Sequence, residues 1–147
     1  MNEYEQTGLN NKLIVAIVNG RTDKAKALLN DGANPLSYEC RPVIEAINHD
    51  NLDILKQILS KPENIQHLEN NPDKLYMAFV ADREEKTNCL IYLIQETKID
   101  FQGMYEKQGS SYLNETIEFV KKIKLNTTLQ ERPLRPKLKA KSLIMKI

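Results

Sequence analysis

The sequence predicts an all-α fold of stacked helix pairs, and three observations carry that prediction. The first is an internal repeat. Residues 13–35 read LIVAIVNGRTDKAKALLNDGANP, and residues 43–59 read VIEAINHDNLDILKQIL. Ala16-Ile17 answers to Ala46-Ile47, Gly20 to Asp50, and Leu28-Leu29 to Ile58-Leu59, an offset of 30 residues. A period near this length marks stacked helical units. The second observation is apolar spacing at i, i+3, i+4 within each unit, the stripe of an amphipathic helix. The third is composition. Five glycines, six prolines and no tryptophan in 147 residues suit helices better than a turn-rich sandwich. An apolar content of 41% excludes a chain disordered throughout.

Residues 1–10 are polar and are expected to fray. From Asn11 to Asn19, Leu13, Ala16 and Ile17 form the first inner stripe. Gly20 stops that helix, as a residue at home with positive φ does. Asp23 to Asn30 forms the outer helix through Ala25, Leu28 and Leu29, and Asp31-Gly32 ends it. Helices of about two turns are unstable alone, so the pair must pack on itself and on the next pair. In the second unit Pro42 occupies a first helical turn, where proline belongs. Val43, Ala46 and Ile47 are its inner stripe, Asp50-Asn51 its turn, and Leu52, Leu55, Ile58 and Leu59 its outer stripe. Lys61-Pro62 closes it, because the residue before proline is pushed out of the helical region.

A third unit is expected from Asn71-Pro72, with Leu75, Ala78 and Phe79 inside and Cys89, Leu90, Ile91, Leu93 and Ile94 on a strongly apolar outer helix. Residues 97–109 are irregular, broken by Gly103 and Gly109. Ser111 to Lys124 carries Leu113, Ile117 and Val120 at i, i+4, i+7, a closing helix for the exposed end of the stack. The organisation is thus a flexible N-terminus at 1–10, a repeat domain at 11–126 and a basic flexible tail at 127–147.

Charge divides the chain the same way. Six of its 21 basic residues and none of its 20 acidic ones lie beyond position 131, so the remainder carries a net −5. An acidic body with a basic tail is unlike a general nucleic-acid binder, which is basic across a face. Two distant cysteines make no disulfide framework and fit a reducing compartment. The opening residues carry neither a basic nor an apolar leader region, and no run approaches the ~20 apolar residues of a bilayer span. A cytoplasmic protein is expected.

Chemistry finds little foothold. His49 and His67 are the only histidines, neither has a second ligand at helical spacing, and there is no Cys-x-x-Cys, so no metal is expected. Cys40 reads as a small packed residue rather than a nucleophile paired with His49. There is no glycine-rich phosphate loop, and Glu84-Glu85 reads as a solvated pair. Neither a cofactor nor a small-molecule substrate is expected, and the chain is read as non-enzymatic; the alternative kept open is an enzyme with a noncanonical site in the irregular region 97–110, which would show as a pocket lined by polar groups of displaced pKa.

Over residues 11–61 the pattern resembles ankyrin repeats. Arg41-Pro42-Val43-Ile44 stands where that family has Thr-Pro-Leu-His. Ala46-Ile47 stands for its Ala-Ala, and Leu28-Leu29-Asn30-Asp31-Gly32-Ala33-Asn34 for its Leu-Leu…Gly-Ala-Asp ending. The likeness is looser over 72–101 and slight over 110–124. The resemblance implies about three helix-turn-helix units joined by β-hairpin fingers, with Glu63–Asn71 replacing the second finger. It implies a protein partner in the concave groove. By position, that groove is the finger Ser37, Tyr38, Glu39, Cys40 and Arg41 with the inner-helix pairs Val18-Asn19, Asn48-His49 and Val80-Ala81. Glu69, Asn70 and Pro72 stand at the third junction.

Tyr38 and Arg41 are the preferred anchors, since aromatic and guanidinium groups dominate interface energetics. The plainer alternative is that Tyr38 packs on its own hairpin, Arg41 is solvated, and a register shift of one takes Val18, Val80 and Ala81 into the core. Short divergent arrays rich in Asn, Ile and Lys also resemble effectors of intracellular bacteria or products of large viruses, which act on a host protein in host cytoplasm. A second reading assigns the activity to the tail, whose alternating basic and aliphatic residues suit a membrane surface, a nucleic acid or a protein groove.

Overall fold

The computed structural model describes residues 1–75, 87–101, 103, 118 and 121–126. All its regular elements are helical. In chain order they are α1 (Glu3–Val18), α2 (Thr22–Asn30), α3 (Ser37–Asn48), α4 (Leu52–Ile58), α5 (Pro62–Asn70), a 3₁₀ turn (Pro72–Leu75) and α6 (Thr87–Glu96). Residues 121–126 are helical as well.

α1 packs on α2, and α3 packs on α4. The pairs then stack, with α1 against α3 and α2 against α4. The predicted stripes are what meet. Leu13, Ala16 and Ile17 of α1 are buried with Ala25 and Leu28 of α2, and Val43, Ala46 and Ile47 of α3 with Leu55, Ile58 and Leu59 of α4. Ile54, outside the expected stripe, is fully buried too. α6 adds Cys89, Leu90, Leu93 and Ile94 to the same cluster, and Phe101 is the largest side chain sealed within it.

The 30-residue offset recurs in the backbone. At the end of α1, Gly20 N–H donates to Ile17 C=O and Arg21 N–H to Ala16 C=O, at 3.1 and 2.9 Å. At the end of α3, Asp50 N–H donates to Ile47 C=O and Asn51 N–H to Ala46 C=O, at 2.9 and 2.8 Å. Both are the paired closing bonds of a left-handed helix stop. Gly20 has φ 72° and Asp50 φ 47°, so the aspartate adopts the conformation for which glycine was expected. Aspartate enters this region more readily than most side chains. Asn51 Nδ2 then donates to Thr22 Oγ1 at 3.0 Å, tying one turn to its counterpart. On the outer layer Gln57 Nε2 donates to Lys26 C=O and Asn30 Oδ1, both at 3.1 Å.

Three expectations change. Residues 3–10 do not stand apart as a frayed leader but form the first turns of α1. Asn2 accepts from the Glu5 N–H at 2.8 Å and the Glu5 side chain closes the capping box. Gln6 Nε2 donates to Gly32 C=O, and Asn10 Oδ1 accepts from Asn34 N–H, fastening that extension to the loop after α2. Second, Ser37–Arg41 is not a β-hairpin finger. A 30-residue spacing is three shorter than the 33 of an ankyrin unit, which removes the chain length a finger needs. Third, the segment expected in place of the second finger is helical as far as Asn70: Pro62 sits in the first turn of α5, and Asn64 Nδ2 donates to Ile58 C=O at 2.8 Å, bracing α5 on the end of α4. Ala78, Phe79, the segment 104–117 and the tail 127–147 lie outside the described residues.

Asp50 also reaches forward. Its carboxylate accepts from Cys89 N–H and Asn88 Nδ2, each at 2.9 Å, satisfying donors at the start of α6. Asp50→Ala loses this cap and places a Cβ-bearing, non-polar residue at positive φ, and should cost about 2 kcal/mol. Asp50→Gly loses only the cap and should cost about 1 kcal/mol. Urea unfolding of both variants checks this, and equal losses would remove the conformational half of the argument.

Candidate functional site

The expected groove residues fall on two features, the paired helix stops and the connection into α3. Val18 and Asn19 end α1; Asn48 and His49 end α3. The Asn51–Thr22 bond holds these turns side by side. All four side chains are exposed, and Val18 keeps 43% of its surface, which settles against its burial in the core. Val80 and Ala81 lie outside the described residues.

At the connection, Leu36 N–H donates to Asn34 Oδ1 at 2.9 Å, an Asx turn that starts the reversal. Tyr38, Glu39 and Cys40 then take φ of 51°, 57° and 64°, a left-handed turn made of three L-residues. Each such residue costs about 1–2 kcal/mol. What holds it is Cys40, whose side chain is buried at 1% exposure, together with the Cys40 N–H to Leu36 C=O bond and an ion pair from Glu39 to Lys74. Tyr38 is thereby turned outward at 56% exposure. The hydroxyl of Ser37 is buried without a hydrogen-bond partner among the described residues.

Arg41 opens the right-handed part of α3, and its Nε lies 2.5 Å from Glu45. Glu45 is otherwise buried, and His49 Nε2 stands 3.9 Å from its other oxygen. The result is a stripe Arg41–Glu45–His49 along one face of α3. Sequence reasoning chose its two ends and missed the middle. The signal was available: Glu45 is four residues from each, the spacing at which helical side chains meet. Arg41 is therefore not a free cation, and a partner's carboxylate must compete with Glu45 for it. Glu69 is also engaged, accepting from Lys98 N–H at 2.7 Å, while Asn70 is exposed and Pro72 begins the 3₁₀ turn.

Neither cysteine is arranged as a nucleophile. Burial pushes the Cys40 thiol above its usual range. Burial raises Cys89 further, and the Asp50 carboxylate beside it adds to the effect by charge and hydrogen bonding. Among the described residues no group of three or more His, Cys, Asp and Glu side chains is placed to hold a metal ion. Nor is any described helix long and apolar enough to cross a membrane.

Two measurements follow from this geometry. Tyr38→Gly removes an exposed side chain from a left-handed position and should raise stability by about 1 kcal/mol, read from the urea midpoint. A drop would mean the ring is packed. The thiols set an alkaline limit. In the unfolded chain they ionise near pH 8.5, while in the fold they stay protonated well above it, so the folded state holds more protons and stability falls as pH rises past about 8.5. Each thiol contributes a slope of up to about 1.4 kcal/mol per pH unit. Cys89→Ala should therefore flatten the decline in stability between pH 8.5 and 10, and an unchanged slope would count against the raised thiol.

Comparison with models of protein families, with curated proteins and with solved structures finds no match to this chain.

Proposed function

We propose that the chain is a non-enzymatic protein-interaction module, a short ankyrin-like helical-repeat solenoid whose first finger is contracted to a turn. A partner segment lies across the inner-helix face. Tyr38 supplies the aromatic anchor, Val18 a small apolar contact, and Asn19, Asn48 and His49 the hydrogen bonds that fix register. The observation that carries the reading is the recurrence of one helix stop at a 30-residue offset, leaving equivalent pairs of side chains uncovered on adjacent units. Repetition of this kind builds extended surfaces rather than enclosed sites. The partner's identity follows from capture, and host proteins belong among the baits' targets if the chain is an effector.

The test is capture by the intact chain, by a Tyr38→Ala, Asn48→Ala, His49→Ala variant, and by a chain lacking residues 127–147. Circular dichroism confirms that each stays helical. The expected result is a protein captured by the intact and shortened chains and lost by the triple variant, since truncating anchors costs about 2 kcal/mol or more. Equal capture by the triple variant would overturn the inner-helix site. Loss only on shortening would transfer the activity to the basic tail.

A further inference from the structure

Beside α1 and α2 lies a cleft of about 200 Å³ that the groove reading does not use. It is lined by the apolar Val15 and Ala16, the cations Lys12, Arg21 and Lys24, and the amides Asn11 and Asn19. Val15 keeps 57% of its surface, an exposed aliphatic side chain. The three cations are exposed and enter no ion pair among the described residues, in contrast to Arg41, Lys74 and Lys121, which do. Among the described residues no acidic side chain lines the cleft. Three such positive charges beside an apolar pair are a local reversal on a body that is net acidic apart from its tail.

We propose that this cleft is a second docking site, which takes an acidic segment of a partner protein by seating one aliphatic side chain on Val15 and Ala16 and flanking carboxylates on Lys12, Arg21 and Lys24. The volume admits a side chain or two, not a drug-sized ligand. The charge arrangement selects carboxylates. The apolar lining is what favours a peptide over a bare polyanion, because a phosphate backbone gains nothing from burying valine. The site goes beyond the inner-helix reading and shares only Asn19 with it.

The experiment is fluorescence anisotropy on the full chain with a labelled octapeptide in which a central leucine is flanked by glutamates. The same peptide with glutamines and an eight-nucleotide oligothymidylate serve as comparisons. The acidic peptide should bind at least tenfold more tightly than the glutamine peptide. Lys12→Glu, Arg21→Glu, Lys24→Glu together should weaken it tenfold or more, and Val15→Asp alone should weaken it several-fold. A charge-matched control, Lys61→Glu, Lys98→Glu, Lys122→Glu, should change it less than twofold, with circular dichroism verifying the helices of each variant. The Tyr38→Ala, Asn48→Ala, His49→Ala variant should bind the acidic peptide normally, so failure of one site is separable from failure of the other. Absence of binding by the acidic peptide, equal weakening by the control, or equal affinity for the oligonucleotide would overturn the proposal.

Discussion

Every described element after α1 is too short to persist by itself. α2 has nine residues and α4 has seven, below the length at which an isolated helix holds in water. The burial of one unit's stripe against the next is therefore the condition for having helices at all. The polar bonds between units set the register of that burial. Asn51 to Thr22 fixes the turns, and Gln57 to Lys26 and Asn30 fixes the outer layer. Apolar packing supplies the attraction but little directionality. These side-chain amides supply the direction, which is why the surface at Val18, Asn19, Asn48 and His49 is presented in step.

What was legible in the sequence was whatever periodicity governs. Leu13, Ala16, Ile17, Val43, Ala46 and Ile47 are buried as their spacing requires, and Gly20 sits at positive φ as its place at a helix end requires. Less legible was anything decided by a count of residues or by a distant partner. The hairpin finger failed because the repeat is three residues short, a difference that motif matching passes over. Glu45 was missed because a charged residue between Ile44 and Ala46 looks like a break in the apolar face until its neighbours at i−4 and i+4 are considered. Lys12, Arg21 and Lys24 were missed because they are ordinary surface residues in sequence, and only the junction of α1 and α2 gathers them.

The left-handed turn at Tyr38–Cys40 shows how a short connection sets the exposure of one side chain. A finger would project side chains away from the helices on a two-stranded arm. The turn instead keeps Tyr38 against the start of α3, exposed but with no arm to flex. Its unfavourable backbone is retained because Cys40 is sealed in the core on one side and Glu39 is tied to Lys74 on the other. Strained backbone persists where its surroundings over-determine it in this way.

The pairing of each helix with its sequence neighbours has a consequence for how the molecule comes into being. α1 meets α2 and α3, and α2 meets α4, so the first two units complete their mutual packing within residues 3–59. Contacts this close along the chain form quickly, without a search for remote segments. A polypeptide emerging from the ribosome N-terminus first can thus assemble its opening units before α6 is free to join them. Asp50 then waits in the finished units as a ready acceptor for the arriving amide of Cys89, so the later helix docks on a template instead of nucleating alone.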